Sequence, residues 1–128
     1  MTSLPDLEHL NLVAFLQGAG LENFEEDAVY LNDIVDVFLT TMPPAIDELD
    51  DAIQQANLTE IKRIGHSLKG AMPTFGALRL GQLCEMLDDA AKHQDLRAVT
   101  RLLPQIRIEF EGVLGDMVRL REYSQKLL

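Results

Sequence analysis

The sequence predicts an all-α protein: an up-and-down antiparallel four-helix bundle with an additional short N-terminal helix. Three observations carry that prediction. Apolar residues recur at spacings of three and four along most of the chain, and nothing alternates with period two over a useful length. The segments between the periodic runs are short and polar, so successive helices are expected to pack as antiparallel neighbours. The length of 128 residues suits one domain, residues 1–128, with a core that needs neither disulfide nor metal.

The N-terminal helix is expected over about residues 4–17. Pro5 and Asp6 read as start signals, Leu4, Leu7, Leu10 and Val13 to Leu16 supply an apolar face, and Gly18-Ala19-Gly20 ends it. The bundle is expected over about 26–127. Glu25, Glu26 and Asp27 suit the positive start of its first helix. From there a stripe of Leu31, Ile34, Val35, Phe38, Met42, Ile46, Leu49 and Ile53 keeps its phase across Pro43 and Pro44. Two prolines remove backbone donors and ordinarily stop a helix, but the preserved phase predicts one long, kinked helix. Asp47, Glu48, Asp50 and Asp51 lie off the stripe, on a solvated face. Asn57 with Glu60 resembles a capping box and starts the next helix near Leu58. That helix should run to about Met72 or Thr74, where Pro73 and Gly76 disturb it. A further helix uses Leu80, Leu83, Cys84, Leu87 and Ala91 and ends near Lys92 to Gln94. Asp95 caps the last one, with Leu96, Val99, Leu103, Ile106, Phe110, Val113, Met117 and Leu120 as its stripe and a bend expected at Pro104.

A formal charge of −10 argues against nucleic acid and anionic membrane as partners, because phosphate backbones attract basic surfaces. One cysteine permits no internal disulfide. The first residues lack a basic and an apolar signal region, and no apolar run is long enough to span a bilayer. A cytoplasmic protein is expected.

The segment Ile61 to Asp88 holds the candidate site. At about 100° per residue, Ile61, Ile64, Leu68, Met72 and Phe75 form one apolar stripe, and His66 falls roughly 140 to 160° from its middle, on the side turned to water. Lys62, Arg63, Lys69, Gly70 and Pro73 share that side and neighbour His66 along the helix. An exposed imidazole can attack phosphorus through one ring nitrogen, and the ammonium of Lys69, with that of Lys62, can stabilise the resulting anion. Phosphoryl transfer needs little beyond in-line positioning and charge neutralisation, so a bare helix face suffices when a partner completes the site. Gly70 leaves room for that partner. Other chemistries lack their motifs: there is no H-E-x-x-H pair, no Glu-x-x-His on facing helices, no G-x-S-x-G elbow and no Walker loop. Cys84 and the five methionines read as core packing, and His9 and His93 as surface or capping residues without a metal role.

The run His66-Ser67-Leu68-Lys69-Gly70, followed by Gly76, Leu80, Leu83-Cys84 and Leu87, resembles the signature of the histidine-containing phosphotransfer (HPt) domains of multistep two-component phosphorelays. The stretch from Asp27 to Leu58 is similar to the helix that precedes that signature, and the resemblance covers about three quarters of the chain. It implies that His66 accepts the phosphoryl group, that Lys69 interacts with it and that Gly70 keeps the docking surface open. It also implies that Asp88, at the position of a polar residue that hydrogen-bonds the imidazole, orients the ring. The implied partners are receiver domains of response regulators and hybrid histidine kinases. His66 would take phosphoryl from one receiver aspartate and pass it to another, with Mg2+ held by the receiver and no cofactor or metal bound by this chain. The expected protein is a monomeric, free-standing phosphocarrier without kinase activity; the alternative is a receiver-binding module that sequesters without transfer. In one respect the chain departs from the pattern: Pro73 cannot donate to the Lys69 carbonyl, so a kink just past the active turn is expected.

Overall fold

In the computed structural model, which describes residues 4–128, five helices account for the regular structure: α1 Leu12–Ala19, α2 Ala28–Gln54, α3 Leu58–Thr74, α4 Leu78–Lys92 and α5 Leu96–Leu127. Helix α2 packs on α3 and α5, and α4 packs on the same two, which closes the antiparallel four-helix ring; α1 lies against α3. The core is the sum of the predicted stripes. Leu31, Val35, Phe38, Ile46, Leu49, Ile61, Leu68, Met72, Leu80, Leu87, Val99, Ile106, Met117 and Leu120 are buried, and the ring of Phe38 meets those of Phe75 and Phe110 at 5.0 and 6.2 Å between centroids.

Helix α1 starts at Leu12, later than the residue pattern suggests. Asn11 caps it by accepting from the Ala14 amide at 2.9 Å, and residues 4–11 run as a non-helical strap. The reason lies in the buried carboxylate of Asp116, which accepts from the backbone amides of His9 at 2.6 Å and Leu10 at 3.2 Å. Amides bound to a distant side chain are withdrawn from a helical ladder. The Asn11 amide is likewise taken by the Gly76 carbonyl at 2.9 Å. His9 is therefore not a simple surface residue: its Nδ1 lies 2.9 Å from Glu109, and Gly112 leaves the room in which the ring sits.

The prolines do not break the helices. Helix α2 continues through Pro43 and Pro44, α3 through Pro73 and α5 through Pro104. Asn57 does cap α3, accepting from the Glu60 amide at 3.3 Å, but the reciprocal half of the capping box is absent: Glu60 instead accepts from Arg63, and the Asn57 amide bonds to the Ala52 carbonyl. The acidic face of α2 is also not merely solvated. Arg107 of α5 pairs with Asp50 and Asp47, Arg121 with Asp36, and Arg63 of α3 with Glu48. Exposed pairs of this kind contribute about 0–1 kcal/mol each, enough to favour one register of α5 on α2.

Each of α1 to α4 ends in the same way, with a left-handed residue and a hydrogen bond from the next amide back across the last turn, as in Leu21 to Leu16 and Asp95 to Ala90. Gly20 and Gly76 occupy two of these positions with φ of 71° and 76°, whereas Ala56 and Gln94 adopt φ of 52° and 57° despite their Cβ atoms. A non-glycine residue there is strained. Gln94→Gly should therefore raise the free energy of unfolding in urea by about 0.5–1 kcal/mol.

The strap makes a second prediction. The hydrogen bond to Glu109 raises the His9 pKa above its ordinary value; partial burial opposes it, and the charges of Glu109, Asp116 and Glu8 add to it. Arg79, 3.4 Å from Glu109, shares that carboxylate. A raised folded pKa contributes stability that is fully present below the unfolded value of about 6.5 and is lost as pH rises through the folded one. Urea unfolding should show His9→Gln less stable than the wild type by about 0.5–1 kcal/mol at pH near 6, with the difference shrinking above pH 8.

Candidate functional site

The rotation of α3 about its axis decides what it presents. Ile61, Ile64, Leu68 and Met72 are buried and Phe75 is half-buried, as their spacing requires. Gly65 is buried as well: a Cβ there would lie 3.4 Å from the Leu87 side chain and 3.7 Å from the Asp88 Cα, so α4 covers this flank. His66, one residue on, points to solvent, and no hydrogen bond or ion pair joins its ring to another described residue. Ser67 and Gly70 are exposed beside it.

The cations around His66 divide between the two flanks of α3. Arg63 leans towards α2, donating to Glu60 at 2.8 Å and reaching Glu48 at 3.5 Å, so its charge is already matched. Lys62 is half-buried and forms no ion pair among the described residues. Lys69 leans towards α4, where its ammonium donates to Asp88 Oδ2 at 3.2 Å. The same oxygen lies 3.0 Å from Lys92, one turn further along α4. The Asp88 side chain is only 3% exposed. Burial pushes its pKa up, but the hydrogen bonds from Lys92 and Lys69, with their charges, outweigh that and hold it below the usual carboxylate range. It is an anion at neutral pH.

Gly70 and Pro73 complete the face. A Cβ on Gly70 would meet nothing within 4 Å, so nothing inside this chain requires glycine there. A Cβ on Gly81 of α4 would lie 3.1 Å from Pro73 Cγ; the proline ring is thus exposed on one side and seated on α4 by the other.

A profile of the Hpt domain matches residues 33–116, which span the site and most of the bundle. The chain belongs to the Hpt domain family. It is also 25% identical over 65 residues, 51% of its length, to the phosphorelay intermediate protein YPD1 of Candida albicans. The chain covers about a third of the length of that curated relative, 35%.

Within this Hpt domain His66, Lys69 and Gly70 share one exposed surface as their spacing predicts. Asp88 departs from expectation. Its carboxylate is held by two ammonium groups, from Lys69 of α3 and Lys92 of α4, and makes no hydrogen bond to the imidazole. Lys92 escapes a reading of the sequence that treats it as a helix C-terminal residue; its i,i+4 spacing from Asp88 is the signal that finds it. Cys84 is core packing: burial pushes its thiol up to about 12. Of the methionines, Met72 and Met117 are buried and Met42 half-buried, but Met86 is 54% exposed and flanks the same shallow depression as Lys69, Asp88 and Lys92. Met1 lies outside the described residues. Among the described residues no cluster of three His, Cys, Asp or Glu side chains could hold a metal, and no helix is long and apolar enough to cross a membrane.

The open space above Gly70 can be checked by stability alone. Gly70→Ala should raise the unfolding free energy by up to about 1 kcal/mol, the helix-propensity difference with no clash to oppose it. Gly18→Ala should lower it, since its Cβ would fall 2.2 Å from the Thr74 carbonyl oxygen.

Proposed function

We propose that this Hpt domain carries phosphoryl groups between receiver domains, with His66 as the acceptor. The observation that supports it best is the geometry of one helix face: an exposed imidazole, an ammonium one turn on at Lys69 and a bare backbone at Gly70, in a chain of this family.

The reaction balances without a group supplied from the bundle interior. The lone pair of one imidazole nitrogen attacks the phosphorus of a receiver's aspartyl phosphate. The N–P bond forms as the P–O bond breaks, the electron pair leaves with the receiver carboxylate, and the other ring nitrogen keeps its proton. The reverse sequence delivers the group to a second receiver. Three anionic oxygens spread the charge of the transferring group, and in-line positioning with neutralisation is most of what catalysis requires. Lys69 supplies one cation from this chain and Lys62 a second; the receiver supplies Mg2+.

Docking follows from the same face. The surface around Gly70 admits the receiver backbone, with Arg63 and Pro73 at its edges. Along α3, Thr74 lies about 12 Å from His66 at 1.5 Å per residue, where a shallow apolar depression between α1, α2 and α3 is lined by Tyr30, Ile34, Val37 and Phe75. Tyr30 and Val37 are each 53% exposed. Aromatic and aliphatic residues beside a polar rim are what a moderate, transient interface uses. The partner class is a receiver of a response regulator or hybrid kinase, the protein acts as a monomer in the cytoplasm, and it has no kinase activity of its own.

Incubation with a phosphorylated receiver and Mg2+ tests this directly. His66 should acquire an acid-labile, base-stable phosphoryl group. His66→Gln should take none, and undiminished labelling in that variant would refute the assignment. Lys69→Ala should slow transfer about tenfold or more, the value of one charge-assisted contact to the phosphoryl group. Gly70→Gln should keep its fold and lose transfer. Receiver binding that persists in His66→Gln, with no exchange in the wild type, would instead identify a sequestering module.

A further inference from the structure

The carboxylate of Asp88 creates a problem for the phosphocarrier just described. Lys69 is the cation best placed for a phosphoryl group on His66, yet its ammonium already donates to a nearly buried anion at 3.2 Å. A one-to-one pair of Lys69 and Asp88 would present the incoming phosphoryl with no net charge. It would also place a second anion beside an anionic group, and like charges a few ångströms apart in a partly desolvated site oppose each other strongly.

The structure holds a compensating charge. Lys92 reaches the same Asp88 oxygen from the next turn of α4 at 3.0 Å. Two ammonium groups and one carboxylate leave one positive charge, and Lys69 is the member of the trio that extends from the His66 helix. Glu85 and Asp89 line the same depression but are exposed; Asp89 sits nearer His93, at 3.6 Å, and neither pairs with Lys69 or Lys92. We infer that Lys92 is a positioning residue for phosphoryl transfer: it neutralises Asp88, so that Asp88 anchors Lys69 beside His66 without consuming its charge. An ammonium has three N–H donors. One can stay on Asp88 while the others turn to the phosphoryl oxygens, which lets a buried carboxylate aim a flexible lysine rather than compete for it.

The inference rests on the phosphocarrier reading, and charge counting makes it separable from that reading. In the trio the wild type carries one net positive charge, Lys92→Met none, Asp88→Asn two, and the double variant Asp88→Asn with Lys92→Met one. The experiment measures the equilibrium between phospho-His66 and a phosphorylated receiver in each variant. Lys92→Met should lower the phospho-His66 equilibrium constant about three- to tenfold. The double variant should return the constant towards the wild-type value, and Asp88→Asn alone should not lower it. A purely structural role for Lys92 would give no rescue in the double variant, and that result overturns the inference. If the wild type itself takes no label, the phosphocarrier reading falls. If the wild type is labelled normally and the Lys92 variants match it, only the role of Lys92 falls.

Discussion

The angular position of α3 in the bundle is the constraint on which the site depends. Ile61, Ile64, Leu68 and Met72 must face the core, and deleting one such side chain to alanine costs about 2–5 kcal/mol, so the helix has little freedom to turn. Once that stripe is seated, 100° per residue places His66 outward and Lys69 to one side of it. The contacts with α4 then fix the flank: Gly65 lies against Leu87 and the Asp88 backbone, and Gly81 lies under the Pro73 ring. No group in the site has to be held by a loop. Rigid presentation of the exposed imidazole is thus a by-product of ordinary bundle packing.

The electrostatics of the protein are uneven in a way that suits this arrangement. A net charge of −10 would oppose the addition of a phosphoryl group if charge acted over the whole molecule. Screening limits it to about 8 Å at physiological ionic strength, so the nearest cations decide. Several carboxylates of α2 are matched across the α2–α5 and α2–α3 boundaries by Arg107, Arg121 and Arg63. On the α4 flank the balance is reversed, with two lysines on one aspartate. Those three side chains carry one net positive charge, against the sign of the whole chain.

Much of the fold was legible in the residue pattern, for a physical reason. Five helices with short connections, the stripes of α2 to α5 and the exposed face of His66 all follow from period 3.6, which burial enforces directly. What escaped is the set of features produced by long-range polar contacts. The strap at residues 4–11 carries apolar residues at helical spacing, yet its amides bond to Asp116, more than a hundred positions away, and no local pattern records that. Glu109 and Asp116 sit in α5 as buried polar groups satisfied by the strap and by Arg79 and Arg119. Asp88 was expected to hydrogen-bond the imidazole, whereas its carboxylate meets Lys69 and Lys92: its position in sequence is compatible with contact to the imidazole or to Lys69, and only the packing of α3 on α4 chooses.

Pro73 shows how a residue that looks disruptive is absorbed. Its missing N–H leaves a single acceptor, the Lys69 carbonyl, without its helical partner, one residue before α3 ends at Thr74. The helix end is closed independently: the amides of Gly76 and Ala77 return to Pro73 and Met72, and the Thr74 hydroxyl donates to the Gly70 carbonyl at 3.4 Å. The ring meanwhile fills the space left by Gly81 on α4. A proline at this point therefore costs little helix and gains a rigid contact one turn beyond Lys69. The direction of Lys69 does not depend on the hydrogen bond that is lost, because its ammonium is tied to Asp88 and its backbone lies on a helix already seated by Leu68 and Met72. The feature that most threatened the geometry of the site is one of those that anchor it to α4.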